Sequence, residues 1–376
     1  MKDLMKGFCF KMPIELEFGV GKIEILAEKL EEMDIEKLLI VTDRGIEKAG
    51  ILDKIEDNLI DIDYKIYEDV EPNPKDFHVV KGAEIAKGFG PDGMMAIGGG
   101  SPIDCSKGIG ALLSGVDEDI RKYFGKGTVK KEILPFIAVP TTAGTGSEVT
   151  FSSVITDKNN KKSIRSPFLA PDLSILDPEL TKSLPKSLTA YSGMDALTHA
   201  VEAYTAKTAT ALTNSFALGS IELVSRNIEK VFRKPNDMDS RSAMLLGSTM
   251  AGIAFNHSDV ASVHCMAESL GGKYDAPHGL CNSIILPYVM EYNMEYCPEK
   301  YNRVAKVMGY DTMEAGAVKA VKELNEKLKI PSIDEIGLKE KDIEELAEMS
   351  VNNLSNESNP REMEKEDYVR LFNKMR

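Results

Sequence analysis

The feature that most constrains this chain is a change of periodicity near residue 180. Before it, short apolar runs at 37–43 (KLLIVTD), 62–70 (IDYKIYEDV), 94–100 (MMAIGGG) and 134–142 (LPFIAVPTT) alternate with helix-period patterns such as 22–33, 45–58 and 76–89. Apolar runs separated by helices predict parallel strands joined by right-handed crossovers, the doubly wound α/β arrangement. Beyond it, stretches such as SFALGSIELVSRNIEKVFR and SRSAMLLGSTMAGIAF carry only the helical period. The turn-rich PELTKSLP at 178–185 separates the two styles. A chain of 376 residues exceeds one ordinary core, so we expect an α/β domain with a parallel sheet over 1–180 and an all-helical domain over 181–376.

Charge removes several classes of partner. Lys and Arg number 46 against 60 Asp and Glu, a formal charge of −14, which repels phosphate backbones and argues against nucleic acid. No run approaches the about 20 apolar residues of a membrane helix, and Lys11 and Pro13 interrupt any apolar signal core, so no membrane association and a cytoplasmic location are expected. The five cysteines include no CxxC pair, which disfavours a disulfide framework or a zinc ribbon.

Glycine stretches in the first half suit a phosphate-bearing cofactor. AIGGGSPIDCSKGIG places Gly98, Gly99, Gly100 and Ser101 after a strand and opens a helix with Pro102 in its first turn. Backbone without side chains lets a phosphate come close, and the helix N-terminus offers it unpaired N–H groups. VPTTAGTGSEVT repeats the logic with Thr141, Thr142, Gly144, Thr145, Gly146 and Ser147 after another apolar run. Asp43, ending the strand of IVTDRG, has the chemistry to accept both hydroxyls of an adenosine ribose and to repel a 2′-phosphate, which favours NAD over NADP. The same residue equally suits the start of a turn.

The second half carries candidate metal ligands. In GMDALTHAVEAY, Asp195 and His199 stand four apart and share a helix face. In VHCMAESLGGKYDAPHGL, His264 precedes an expected helix break at Gly271-Gly272, after which Pro277 and Gly279 form a turn that returns His278 to the helix end. One carboxylate and three imidazoles saturate four positions around a divalent ion and leave a fifth for a substrate oxygen; the set accepts iron(II) or zinc(II) alike.

These stretches, with EPNP, DPELTKSLP and PHGLCNSIILPYV, resemble the iron-dependent (group III) alcohol dehydrogenases over nearly the whole chain. The resemblance implies a dinucleotide-binding α/β domain followed by a helical metal-binding domain, as in dehydroquinate synthase. It implies reversible hydride transfer between a small primary alcohol or diol, or the corresponding aldehyde, and a nicotinamide cofactor, and a homodimer or larger homo-oligomer. By position, Asp195, His199, His264 and His278 match metal ligands. Asp43, Asn73, Gly98, Gly99, Gly100, Ser101, Asp104, Lys107, Thr141, Thr142, Thr145, Ser147 and Lys162 fall at or near cofactor contacts.

One departure concerns proton transfer. Many relatives carry a further histidine one turn beyond the ligand that matches His264, where this chain has Glu268. Glu268 is therefore expected to hydrogen-bond a ligand imidazole or the substrate hydroxyl. His257, seven residues before His264, is the other relay candidate if both lie on one helix face. Glycerol-type polyol and phosphonate-type dehydrogenases share the fold and stay open as alternatives. A dehydroquinate synthase-like lyase would need cations around the metal, which GMDALTHAVEAYTA and ASVHCMAESLGG lack. Net NADH formation from an alcohol separates the dehydrogenase from the lyase and from a non-enzymatic binding protein.

Overall fold

The computed structural model describes residues 7–158, 160–310 and 316–376. They form two compact units. An α/β unit comprises Lys11–Thr142 and Ser147–Leu184; a helical unit comprises Pro185–Arg376, Ala143–Gly146 and the described residues up to Phe10.

In the α/β unit the main sheet is built from β1 (Glu15–Phe18), β2 (Lys37–Val41), β3 (Asp63–Tyr67), β4 (Gly93–Gly98), β6 (Phe136–Pro140) and β9 (Leu173–Leu176). Their order is β1-β9-β6-β4-β2-β3, and every pairing is parallel. The inner strands β4, β6 and β9 are buried along their whole length, as befits strands covered on both faces, which read as unbroken apolar runs. Alternate residues serve opposite layers. Leu38, Ile40, Met95, Ile97, Ile137 and Val139 pack with Leu26 and Leu30 of α1 (Leu26–Glu32) and with Ile51 and Ile55. Leu39, Val41, Met94, Ala96, Phe136 and Ala138 pack on the other face with Val79 and Ala83, and with Ile109.

Between strands, α2 (Arg44–Lys48) and α3 (Ile51–Glu56) replace the single helix expected over 45–58, because Gly50 takes a left-handed turn (φ 67°). The pattern at 22–33 likewise opens as a 3-10 turn, Lys22–Ile25, before α1. The helix α4 (Asp76–Phe89) follows β3, and α5 (Gly100–Ser114) follows β4. From β2 the chain steps outward to β3 and then returns past β2 to β4. The carboxyl ends of β2 and β4 therefore diverge at a topological switch point, where open α/β sheets bind ligands.

Five strands were not anticipated from the sequence. β1, with its mostly exposed ELEF, and the short β9 complete the sheet on one side. A second sheet, β5 (Gly125–Lys126), β8 (Asn160–Arg165) and β7 (Ser152–Asp157), contains the antiparallel β7/β8 pair, whose polar residues give little apolar signal.

The helical unit contains α6 (Lys186–Thr205), α7 (Ala211–Arg233), α8 (Met238–Ser258), α9 (Ser262–Tyr274), α10 (His278–Met294), α11 (Pro298–Val307), α12 (Gly316–Leu328), α13 (Ile333–Ile336), α14 (Ile343–Val351) and α15 (Lys365–Met375). From Gly193 to Thr205 every residue of α6 is buried, the pattern of a helix surrounded by others. The break expected at Gly271-Gly272 is absent: α9 runs on to Tyr274 and ends at left-handed Asp275 (φ 50°). No described helix is long and apolar enough to cross a membrane.

Candidate metal centre and cofactor loops

Three helices converge on one cluster. Asp195 and His199 project one turn apart from α6, His264 from the first turn of α9, and His278 from the first residue of α10. Gly279 permits the last approach, since a Cβ there would lie 2.3 Å from the Tyr191 carbonyl oxygen and 3.3 Å from Asp195 Cβ. One ligand atom from each of the four residues lies within 4.8 Å of all the others. Asp195 Oδ1 is 3.7 Å from His278 Nε2, 3.9 Å from His264 Nε2 and 4.0 Å from His199 Nδ1. Bonds of about 2.1 Å place tetrahedral ligand atoms roughly 3.4 Å apart, so these spacings are a few tenths of an ångström wider.

The donor set fits a divalent ion. His199 Nδ1 is buried without a hydrogen-bond partner among the described residues. Its imidazole is pushed down to about 4 by burial, which outweighs the attraction of Asp195, so it stays a neutral base. Burial would raise the Asp195 carboxyl, but the three imidazoles and an amide from Asn282 outweigh it and hold the group below its ordinary value. Asp195, His199 and His264 are buried, whereas a quarter of the His278 side chain is exposed. Cys265 and Cys281 are buried and lie outside the cluster.

The carboxylate that orients His264 is Glu202, not Glu268. His264 Nδ1 lies 2.6 Å from Glu202 Oε2, and the same carboxylate accepts the backbone N–H groups of Ala261 (2.9 Å) and Val263 (2.7 Å). Glu202 thereby meets two of the donors left open at the start of α9 and is placed to accept the Nδ1–H of the imidazole, with Nε2 on the side of Asp195. Burial alone would depress the His264 imidazole, but the hydrogen bond and charge of Glu202, with Asp195 behind it, hold it above its ordinary value. The signal was present in DALTHAVEAY, where Asp195, His199 and Glu202 recur at helical spacing. Glu268 Oε2 instead accepts from Asn353 Nδ2 at 2.7 Å and reaches His264 through its charge. His257 also departs from expectation. It ends α8 rather than preceding His264 on one helix, since left-handed Asp259 (φ 67°) separates α8 from α9. Its Nδ1 lies 3.0 Å from the Ile253 carbonyl oxygen, and its ring stacks on Phe10 at 4.1 Å. Phe255 stacks on the His199 ring at 4.4 Å.

At the switch point of the α/β unit, Asp43 has two duties. Its Oδ1 caps α2, accepting from Gly45 N at 2.7 Å and Ile46 N at 3.2 Å. Its Oδ2 faces the glycine loop, 3.3 Å from where a Gly98 Cβ would sit. Burial raises its carboxyl despite those two bonds. Gly98 itself is required, with φ 145° and a would-be Cβ 2.7 Å from the Pro102 ring. Gly99 then starts α5 without a side-chain cap, and no acidic residue stands in the first turn of Gly100 and Ser101. The N–H groups there remain oriented for an anion. Thr142 lies against Gly99, and Thr141 N donates to the Gly98 carbonyl at 2.9 Å, so the two loops run side by side.

Two further residues expected near the cofactor, Lys107 and Asp104, bond to the second loop and to β7. The Lys107 ammonium is fully buried and donates to the carbonyls of Ser147 (2.6 Å), Thr150 (2.9 Å) and Ser152 (3.0 Å); burial pushes it down to about 8. Asp104 accepts from Ser147 Oγ at 2.5 Å and from Val154 N at 3.1 Å. Both residues latch α5 to the stretch entering β7. Lys162 is exposed on β8; the charges that reach Asp104 are those of Lys107 and, more weakly, of Lys161, the neighbour of Lys162. Asn73 is left-handed (φ 54°) just before Pro74, whose carbonyl accepts from Thr156 N at 2.7 Å. Thr145 belongs with the helical unit.

Comparison with known proteins agrees with this architecture. Residues 13–178 match the family model described as iron-containing alcohol dehydrogenase, and residues 189–376 match that of the C-terminal part of the Fe-containing alcohol dehydrogenase family. The chain is 38% identical to a 1,3-propanediol dehydrogenase of Citrobacter freundii, over 97% of this chain and 98% of that protein. It is 35% identical to an NAD-dependent methanol dehydrogenase of Bacillus methanolicus, over 96% and 98% respectively. A crystal structure of a 1,3-propanediol oxidoreductase superimposes with a TM-score of 0.95 at 37% identity, covering 99% of this chain and all of that one. On its sequence, its parallel sheet and its Asp/His cluster, the chain belongs to the iron-containing alcohol dehydrogenase family.

Proposed function

We propose that the protein is an NAD-dependent alcohol dehydrogenase acting reversibly on small primary alcohols or diols, with iron(II), or zinc(II) in its place, held by Asp195, His199, His264 and His278. The observation that carries this reading is the convergence of one carboxylate and three imidazoles within 4.8 Å. Relatives bearing the names of a propanediol and a methanol dehydrogenase support the substrate class, and the second carries NAD dependence in its name.

A divalent ion in this cluster supplies Lewis acidity toward an alcohol or carbonyl oxygen, and a nicotinamide supplies the hydride acceptor. The chain's own residues set the conditions. Glu202 keeps the proton of His264 on Nδ1, so the imidazole meets the ion as a neutral donor. The depressed basicity of His199 keeps it unprotonated throughout the neutral range. The exposed flank of His278 leaves the cluster an open side for a small ligand. In the α/β unit, the uncapped start of α5 suits the pyrophosphate and Asp43 the ribose diol, which supports NAD over NADP. Asp104 and Lys107 act behind the second loop, holding Ser147 in place.

The test is an NADH-formation screen with methanol, ethanol, 1-butanol, 1,2- and 1,3-propanediol and glycerol on protein reconstituted separately with Fe(II) and Zn(II), with bound metal measured alongside. Turnover of at least one alcohol by metal-loaded protein, lost on chelation and restored by metal, supports the proposal. Full metal occupancy with no net NADH from any of them overturns it.

A further inference from the structure

We infer that Asn282 is a positioning residue of the metal centre, whose side-chain amide fixes the ligating carboxylate of Asp195 and so sets the affinity of the site for its ion. The inference rests on the four-residue metal centre proposed above.

Asn282 follows His278 by one turn on α10 and is fully buried. Its Nδ2 donates to Asp195 Oδ1 at 2.6 Å, and lies 3.1 Å from His278 Nε2 and 3.2 Å from His264 Nε2. The amide therefore stands on the side of the cluster where three ligand atoms converge. An Asp side chain needs such help, because its terminal torsion has a broad, shallow preference and α6 alone does not dictate where the carboxylate plane points. Asn282 supplies the missing restraint from the same helix that carries His278. One rigid element thus places a ligand and orients another, and Gly279 brings that element close to α6.

The other end of the amide argues for function over packing. Asn282 Oδ1 is buried with no hydrogen-bond partner among the described residues. A buried acceptor without a partner is costly, and an apolar side chain of similar size would avoid the cost, so the N–H groups are the reason for an amide here. A neutral donor also suits the place better than a cation would. It orients Asp195 without adding a positive charge that competes with the metal.

The experiment measures metal affinity rather than turnover. Purified Asn282→Ala and the milder Asn282→Ser are titrated with Zn(II) and, anaerobically, Fe(II) against a chromophoric chelator. Circular dichroism, thermal unfolding in EDTA and NAD binding serve as fold controls, with His278→Ala alongside. Asn282→Ala is expected to bind both metals roughly 10- to 100-fold more weakly, as residues that orient metal ligands do, with Asn282→Ser between it and the wild type. A merely structural role would lower the unfolding temperature and leave the metal Kd in place. Affinity within threefold of wild type in folded Asn282→Ala overturns the inference; if that variant does not fold, the same result in Asn282→Ser does so. Should His278→Ala also keep full metal affinity, the metal centre itself is wrong. Loss in His278→Ala with none in the Asn282 variants sinks only the role of Asn282.

Discussion

Replacing Glu202 by Gln tests the electrostatic design of the site with almost no change of shape. In the wild type one carboxylate oxygen accepts from His264 Nδ1 and Ala261 N, and the other from Val263 N. Glutamine has a single oxygen, so its NH2 must face one of these donor groups. If it faces Val263 N–H, a charge-assisted bond becomes a donor–donor contact. If it faces His264, the imidazole must move its proton to Nε2, the nitrogen needed by the ion. Hydrogen bonds to a buried charge contribute about 1.5–3 kcal/mol each, so losing one and weakening the rest costs roughly 2–4 kcal/mol. For a unit of this size that lowers the unfolding temperature by roughly 5–15 °C. The metal Kd should rise about 10- to 100-fold, equivalent to roughly 1.4–2.8 kcal/mol. Chelator competition reads the affinity, and nitrogen chemical shifts of His264 read the tautomer. The pH dependence supplies an independent sign. Because the folded pKa of His264 lies above its ordinary 6.5, this group stabilises the metal-free protein fully below about 6.5 and progressively less as pH rises through the folded value. Glu202→Gln removes the cause of that elevation, so this decline should vanish. Wild-type metal affinity together with an unchanged His264 tautomer would refute the reasoning.

Further outcomes are expected at other residues. His264→Ala or His278→Ala should remove most bound metal and nearly all activity while NAD still binds, as checked by metal analysis and cofactor titration. Asp43→Gly should raise NADP use relative to NAD at least about tenfold, a change of about 1.4 kcal/mol, read from kcat/KM with each cofactor; a wild-type protein already preferring NADP would show that Asp43 does not meet the ribose. Lys107 is held down to about 8 by burial, so its contribution to the stability of the α/β unit should grow as pH rises from about 8 toward 10.5, by at most about 3 kcal/mol. Lys107→Met should abolish that rise in a pH series of thermal melts and should loosen the loop at Ser147, seen as weaker NAD binding.

Much of the architecture was legible because it is written in local periodicity. The buried strands β2, β4 and β6 are short apolar runs, and the Asp195/His199 pair is visible as a four-residue spacing on one helix face. Glycines at Gly98 and Gly279 likewise mark close approaches of the backbone. Where signals were local but weak, the reading fell short: β1 is an exposed, charged edge strand, and the β7/β8 hairpin is largely polar. The partners of the site residues were a different matter, since nothing in a linear spacing decides which of two carboxylates reaches an imidazole. Helical periodicity nominated Glu268, four residues from His264, but that side chain turns to Asn353. Glu202, 62 residues away, reaches His264 because α9 begins against α6 and its first N–H groups need an acceptor. Lys107 and Asp104 sit in a cofactor-like motif, yet packing of α5 against the strand entry at Ser152 commits them to loop carbonyls, a hydroxyl and a backbone N–H. The sequence by itself determined the strongly periodic elements and which residue types gather at their ends, because both follow from short-range sterics and apolar spacing. Only the tertiary structure decided which buried polar groups satisfy one another, because a buried donor binds whichever acceptor the packed helices bring within about 3 Å, however far away in the chain it lies.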